Sequence, residues 1–489
     1  MLLNLERGGG PLYRRIYDAL KSAIREGRIG AEERLPSTRA LAQDLRVSRN
    51  TVLLAYEQLA AEGYLAGNPR SSTRVARALG NGRGPEGVAP KDGPPRLSRF
   101  GLRLARDPTF PPSMTYAQRP GIRYDFRYGR PAIQDFPLEA WRRLLAARTR
   151  RAGPSSYGYA PPEGYEPLRV ALADYLRRTR GVLCNAEQLV IVSGSQQAFD
   201  LVGRVLLNPG DAVAIEEPHY SGSSLVFESL GARLLSVPVD AQGLDPARLP
   251  PARAGARIAC VTPCHQFPTG VILPQPRRRA LLDWAARTGA WIVEDDYVSE
   301  FRYEGRPIEA LQSLDTQGRV IHVGSLSKTL FPALRLGYLV LPRPLVRPFA
   351  GAKWLADRHS PQLMQEVLTD FIVSGRFERS LRRTCARNGE RRRTLIEALR
   401  EQLGERVEIA GGNAGVHLLV WLNDVAPARL PALIEHAAAS GVGLYPITPY
   451  YRTPPRRAGL MFGYASLSVT DIRAGIRRLA QCLHGGVFR

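Results

Sequence analysis

Apolar residues recur along the chain in two different rhythms. Near the N-terminus Leu12, Ile16, Leu20 and Ile24 fall at helical spacing and predict one amphipathic helix. After Leu35-Pro36, Ser37 is placed to cap a second helix that buries Leu41, Ala42 and Leu45. Arg46-Val47 reads as a short turn. Ser48 then caps a third helix carrying Val52, Leu53, Tyr56 and Leu59, which stops near Gly63. Two short helices joined by a tight turn make a helix-turn-helix, and residues 64–75 predict a small β-hairpin wing. From about Thr115 the rhythm changes. Short apolar runs at residues 189–192, 212–216, 258–262, 291–294 and 320–323 alternate with helical stretches, which predicts a mostly parallel sheet with crossover helices. After Pro344 a long Arg-rich helical stretch and strands such as 416–422 predict a smaller α+β subdomain.

Residues 78–114 follow neither rhythm. They are rich in Gly, Pro and Arg and read as a flexible linker. The expected organisation is therefore a winged helix-turn-helix over 1–77, a linker over 78–114 and an α/β domain over 115–489. Its large subdomain spans about 165–343 and its small one about 115–164 and 344–489. A chain of 489 residues is too long for one ordinary core, in keeping with such a division.

Charge adds a partner. The 68 Lys+Arg against 45 Asp+Glu give a formal net charge of +23, which points to a polyanion, with nucleic acid the default. Cysteines subtract possibilities. The five are scattered and odd in number, so no disulfide framework is expected. Cys260, Cys264 and His265 have no second ligand pair nearby, so no metal is expected either. The first residues are too short and charged a run for a signal peptide, and no apolar run spans a bilayer. The expectation is a soluble, cytoplasmic protein.

The candidate chemistry starts from Lys328. It is one of only four lysines, with Lys21, Lys91 and Lys353, in a chain that otherwise uses arginine. An amine can lose its proton and form a Schiff base, whereas a guanidinium cannot. Lys328 closes the run Ser325-Leu326-Ser327-Lys328 just past an apolar strand, where an α/β sheet places its ligands. Three other elements sit in equivalent places. Ser193-Gly194-Ser195-Gln196-Gln197 opens a helix and offers backbone N–H groups to a phosphate. Glu294-Asp295-Asp296-Tyr297 offers a carboxylate for a protonated pyridine nitrogen and a phenol beside it. Gln266-Phe267-Pro268-Thr269-Gly270 makes a turn. Arg335 is spaced to clamp the same phosphate. The lysine trails Asp295 by 33 residues, room for one helix and the next strand. Together these specify pyridoxal 5'-phosphate.

From Thr115 onward this ordered set resembles the fold-type I aminotransferases. The N-terminal segment resembles the winged helix of GntR-type regulators through Arg34-Leu35-Pro36-Ser37-Thr38-Arg39, Val47-Ser48-Arg49-Asn50-Thr51-Val52 and Glu62-Gly63-Tyr64-Leu65. Fused, and with Glu294-Asp295-Asp296-Tyr297 and His265-Gln266-Phe267-Pro268-Thr269-Gly270, they resemble the MocR subfamily of bacterial transcriptional regulators. The resemblance implies that Lys328 forms the Schiff base, Asp295 pairs with the pyridine nitrogen, Tyr297 approaches the ring hydroxyl and Tyr220 stacks on the ring. Ser195, Gln196, Ser325, Ser327 and Arg335 would hold the phosphate, and Tyr159 would reach the phosphate of a partner subunit in a head-to-tail homodimer. It further implies that Arg39, Ser48, Arg49, Asn50 and Thr51 contact double-stranded promoter DNA, where Arg reads guanine edges and hydroxyls bind phosphate.

The chain also departs from the family pattern. Leu460 or Met461 stands where aminotransferases carry an arginine for the substrate carboxylate. Ser223-Ser224 stands where the subfamily often has Ala-Arg. Phe267 replaces the Asn usual in aminotransferases, a change common in the subfamily, and the wing reads Arg70-Ser71-Ser72-Thr73 in place of a glycine-containing turn. The expected function is therefore a regulator that senses pyridoxal phosphate or an amino compound, with at most weak transaminase activity. The alternative is an active aminotransferase with an accessory DNA-binding domain.

Overall fold

A computed structural model describes residues 10–68, 72–76, 96–106, 120–305, 308–411 and 414–485. The chain divides into two compact units, one ending at Ser98 and the other beginning at Arg99.

The first unit is three helices, Leu12–Arg25, Thr38–Leu45 and Arg49–Ala61, and an antiparallel hairpin of Leu65–Asn68 with Ser72–Val75. Its core closes around Ile16, Leu20, Leu41, Val52, Ala55, Tyr56 and Leu59, all fully buried. The apolar rhythm named most of these. Leu12 is the exception, 38% exposed in the first turn, and Leu45 and Leu53 are only partly covered. Ser37 Oγ accepts from the Ala40 N–H and Ser48 Oγ from the Thr51 N–H, each at 3.2 Å. Such caps satisfy amides that the first helical turn leaves unpaired, at about 1 kcal/mol each. Arg46, at φ +52°, ends the second helix and turns the chain into the third. In the wing, Arg70 and Ser71 lie outside the described residues.

The second unit is built on an eight-stranded sheet. Its spatial order is Leu189–Val192, Gly337–Val340, Val320–Ser325, Trp291–Asp296, Ala256–Val261, Ala212–Glu217, Arg233–Asp240 and Gly243–Leu244. The strands run parallel except Gly337–Val340 and the short Gly243–Leu244. Helices bury both faces, so the central strands are almost continuously apolar. The C-terminal ends of the parallel strands line one edge, which is where the sequence motifs fall.

A second sheet of Val407–Ala410, His417–Leu422, Ala458–Gly463 and Tyr445–Pro446 packs on Val469–Gly485 and the end of the 28-residue helix Arg376–Leu403. Three features differ from the sequence reading. Arg99–Arg106 is helical inside the stretch read as linker. Leu138–Arg151 places Trp141 in the core with Leu168, Leu172 and Phe371, on the large sheet. The helix Arg343–Asp357 likewise puts Leu345 and Phe349 against that sheet. The long helix explains the mismatch: Phe377 at its start belongs to the large core and Leu395 and Leu399 near its end to the small one. A periodicity argument sees one continuous helix there and cannot place that changeover.

Candidate functional site

The first strand of the large sheet ends at Val192, and the helix Ser195–Leu206 begins three residues later. Gly194 makes the turn at φ +89°, and a Cβ there would stand 3.1 Å from the Arg335 guanidinium. Glycine is thus required twice, by conformation and by the approach of the arginine. Arg335 Nη2 donates to the Ser193 carbonyl at 2.5 Å. Ser195 and Gln196 head the helix, where free N–H groups and the helix dipole favour an anion. No acidic residue occupies that first turn. On the neighbouring strand Gly337 pairs with Ser325 and lies against Gly194, which brings Ser325 and Ser327 to the same edge. Ser325 Oγ accepts from the Ser327 N–H at 3.2 Å. The result is a cup of small residues, helix amides and one guanidinium.

Three consecutive acids end the Trp291–Asp296 strand, and their partners sort them. Glu294, fully buried, meets His322 Nδ1 at 3.1 Å and accepts from the Leu311 and Gln312 amides at 2.6 and 3.0 Å. Asp296 accepts from Arg180 Nη2 at 2.8 Å and Nε at 3.1 Å. Burial alone would raise Asp296, but the Arg180 guanidinium, His322 and a hydrogen bond from Ser299 together outweigh it and the pKa is lowered. Asp295 has a buried Oδ1 without a partner. Burial, then the charges of Asp296 and Glu216, push it up to about 7. Of the three, only Asp295 keeps an acceptor for something else. The Tyr297 hydroxyl beside it is also buried and unpartnered.

Lys328 Nζ donates to the Gly129 carbonyl at 2.5 Å. Burial lowers its pKa to about 8, against the raising effect of the Asp295 carboxylate. A lysine poised there is still mostly protonated at cellular pH, but its neutral fraction is far above that of an ordinary lysine, so it can act as a nucleophile. The orphaned Asp295 oxygen, the orphaned Tyr297 hydroxyl, the softened amine and the anion cup match the ring nitrogen, ring hydroxyl, aldehyde and phosphate of pyridoxal phosphate. The residues present fit that group.

The remaining wall is apolar. Tyr220 begins the helix Ser221–Ser229, with its ring 5.5 Å from Phe267. Phe267 is ringed by Tyr128, Tyr297, His417 and Tyr450 at centroid distances of 4.9 to 6.2 Å. It packs with Leu419, Ile447 and Met461. Leu460 and Met461 are fully buried. Ser223 and Ser224 turn inward: Ser223 Oγ donates to the Tyr220 carbonyl and Ser224 Oγ meets His219 Nε2 at 2.8 Å. Arg127 and Arg130, on the segment beside Gly129, both pair with Asp125.

Tyr159 is not brought to the cup. It is 85% exposed, its ring packed on Arg358 and near His359. Gln196 is exposed and donates to the Gly222 carbonyl at 3.2 Å. Two groups escaped the sequence reading. Glu216 is buried, accepts from Thr262 and Gln266, and is raised to about 7 by burial. Asp357 and Lys353 adjoin the cup through Ser193 and Gln197. Among the described residues no group of acids, histidines and cysteines is arranged to hold a metal, and no helix is long and apolar enough to cross a membrane.

In the N-terminal unit, Arg39, Ser48, Arg49 and Asn50 are exposed and Thr51 is half-buried. Arg49 Nε donates to Thr38 Oγ1 at 3.4 Å, so the starts of the second and third helices lie side by side. Ser48 Oγ meets Thr51 Oγ1 at 2.7 Å. The five residues share one edge, at two helix N-termini.

Comparison with known proteins agrees with both units. Residues 12–75 match the bacterial regulatory proteins of the gntR family, and residues 129–452 match aminotransferase class I and II. The chain is 36% identical over 472 residues to the probable rhizopine catabolism regulatory protein MocR of Rhizobium meliloti, covering 96% of this chain and 93% of that one. It is 34% identical over 481 residues to the HTH-type transcriptional regulator TauR of Rhodobacter capsulatus, covering 97% of each. Among solved structures, the kynurenine aminotransferase of Pyrococcus horikoshii in complex with PMP superimposes with a TM-score of 0.73 at 28% identity, over 80% of this chain and 97% of that one. The chain belongs to the MocR-type branch of the GntR-family transcriptional regulators, a winged helix-turn-helix joined to a class I and II aminotransferase domain whose cofactor is pyridoxal phosphate.

Proposed function

We propose that this regulator binds promoter DNA through Arg39, Ser48, Arg49, Asn50 and Thr51 and uses its aminotransferase-like unit as the sensor. Lys328 would hold pyridoxal phosphate covalently. Asp295 and Tyr297 would fix its ring, Tyr220 would cover it, and Ser195, Gln196, Ser325, Ser327 and Arg335 would bind its phosphate. The observation that supports this reading is the contrast inside one pocket: the unpartnered Asp295 oxygen and Tyr297 hydroxyl, with Lys328 nearby, stand against a wall of Phe267, Leu419, Ile447, Tyr450 and Met461. The cofactor supplies electrophilic aldehyde chemistry when bound. Among the described residues, those that form the apolar wall offer no guanidinium to hold an amino acid's carboxylate, a strong charge-assisted contact that transamination uses. The effector in this reading is pyridoxal phosphate itself or an amine without a carboxylate. The exposed Tyr159 supports a head-to-tail homodimer in which it reaches the partner's phosphate cup. The protein would act in the cytoplasm, where its promoter DNA is.

Titration with pyridoxal phosphate should give a visible absorbance band in the wild type and none in Lys328→Ala. Absence of the band from the wild type rules the reading out. In an anisotropy assay on DNA from upstream of its gene, Arg49→Ala should weaken binding about tenfold, the cost of one lost base or phosphate contact. Unchanged binding would remove the DNA-contact assignment. Steady multiple turnover between an amino donor and a keto acid would favour the aminotransferase alternative.

A further inference from the structure

Lys353 is the second lysine that the chain's preference for arginine brings into relief. It lies in the helix Arg343–Asp357 with no exposed surface. Its Nζ donates to Asp357 Oδ1 at 2.5 Å, one turn further on. The other oxygen of Asp357 accepts from Gln197 Nε2 at 2.8 Å and from Ser193 Oγ at 3.4 Å. Gln197 Oε1 accepts from the Ser193 N–H at 2.8 Å, and the Ser193 carbonyl accepts from Arg335. Every polar group of Ser193 is thus engaged, and Ser193 leads directly into Gly194-Ser195.

An apolar side chain of similar length would fill the Lys353 site without the desolvation cost of an ammonium. Burial does lower this amine, against the opposing pull of Asp357. The reason for a cation there lies in Asp357. A carboxylate tied to the turn at Ser193 holds that turn in shape, but it also puts a negative charge beside a site for a phosphate dianion. We propose that Lys353 is a positioning residue that neutralises Asp357, so that Asp357 can fix the Ser193–Gln197 turn without repelling the cofactor's phosphate. This role rests on the cofactor reading above. Lys353 acts only through Asp357.

The test compares pyridoxal phosphate with pyridoxal, which lacks the phosphate, by absorbance titration of the full chain. Lys353→Met should raise the Kd for pyridoxal phosphate roughly tenfold or more, as a nearby uncompensated charge would. The Kd for pyridoxal should change less than about threefold in the same variant. The double variant Lys353→Met with Asp357→Asn carries neither charge and should return pyridoxal phosphate binding to within about threefold of wild type. Equal weakening of both ligands, or no recovery in the double variant, overturns the proposal. Should Lys353→Met fail to fold, Asp357→Asn decides. It keeps the cation and should prefer pyridoxal phosphate over pyridoxal at least as strongly as wild type; a weaker preference overturns the proposal. Wild type that binds no pyridoxal phosphate would remove the cofactor reading itself, whereas normal wild-type binding with an unaffected Lys353→Met removes only the role of Lys353.

Discussion

The two sides of the pocket are built from opposite materials. On the side of Asp295, Lys328 and Arg335, charges are held by other charges: Glu294 by His322, Asp296 by Arg180, Asp357 by Lys353. On the side of Phe267, Tyr450 and Met461, rings and aliphatic groups pack on one another, and Arg127 and Arg130 nearby are paired with Asp125. An enzyme acting on amino acids needs charge on both sides, one for the cofactor and one for the carboxylate. Among the described residues the charges lining the pocket gather on the cofactor side, and Arg127 and Arg130 near the apolar side are engaged by Asp125. Under the function proposed above, the difference makes binding the cofactor and holding an amino acid's carboxylate separate demands, met by different residues of this fold.

The largest expected effect comes from breaking the charged side behind the ligand. Arg180→Met leaves Asp296 buried and uncompensated and should cost about 3–5 kcal/mol. All five tryptophans lie beyond residue 140, so tryptophan fluorescence in a denaturant titration reports that unit alone. A cost below about 1 kcal/mol would mean that Asp296 is solvated or protonated there. On the apolar side, Met461→Ala should cost about 2–4 kcal/mol through the cavity it leaves. The absorbance of bound pyridoxal phosphate should nevertheless survive. Loss of cofactor binding at full stability would show that the two sides are not independent.

A smaller effect depends on pH. Asp295 is raised to about 7 by burial and by the charges of Asp296 and Glu216. A carboxyl that holds its proton more tightly when folded favours the folded state below its folded pKa. The contribution of Asp295 to the stability of the cofactor-free protein should therefore fall as pH rises from about 4 to about 7, by about 2 kcal/mol between pH 5 and 7. Asp295→Asn carries no titrating proton, so its stability relative to wild type should rise by that amount over the same interval. Thermal unfolding at several pH values measures it, and parallel slopes for the two proteins would mean that Asp295 is not desolvated.

How much of this was legible follows from how local each feature is. Ser37 and Ser48 cap helices within three residues of themselves, and the sequence named both. The strand-end motifs were legible because a parallel sheet carries its strand ends to one edge whatever the helices between them do. Within the acidic run, Asp295 came from the family resemblance. Its physical reason, that Glu294 and Asp296 are consumed by His322 and Arg180, needs partners distant in sequence. Lys353 carried the same signal of scarcity as Lys328. It received no role because its meaning depends on Gln197 and Ser193, on a different helix and turn. The placement of Leu138–Arg151 on the large sheet was likewise hidden, since an amphipathic helix does not say which of two cores its apolar stripe will join.

The smallest effect joins Asp295 to Lys328. Burial brings the amine down to about 8, and the Asp295 carboxylate works against burial. Nζ is a nucleophile only in its neutral form, so at pH 7 about a tenth of the protein is competent, and the rate of cofactor capture should rise about tenfold per pH unit before levelling near pH 8. At pH 8 Asp295 is mostly ionised, by its own value of about 7. Replacing it with Asn removes the charge that favours the ammonium form, so the midpoint should move below 8. Stopped-flow absorbance of wild type and Asp295→Asn across pH 6 to 9 measures both midpoints under one set of conditions, and the cofactor's own ionisations, common to the two, cancel in the difference. A midpoint for Asp295→Asn at or above that of wild type would mean that the two groups do not share a field. The charged side would then be a set of separate contacts around a ligand, with no electrostatic coupling between the acid and the amine.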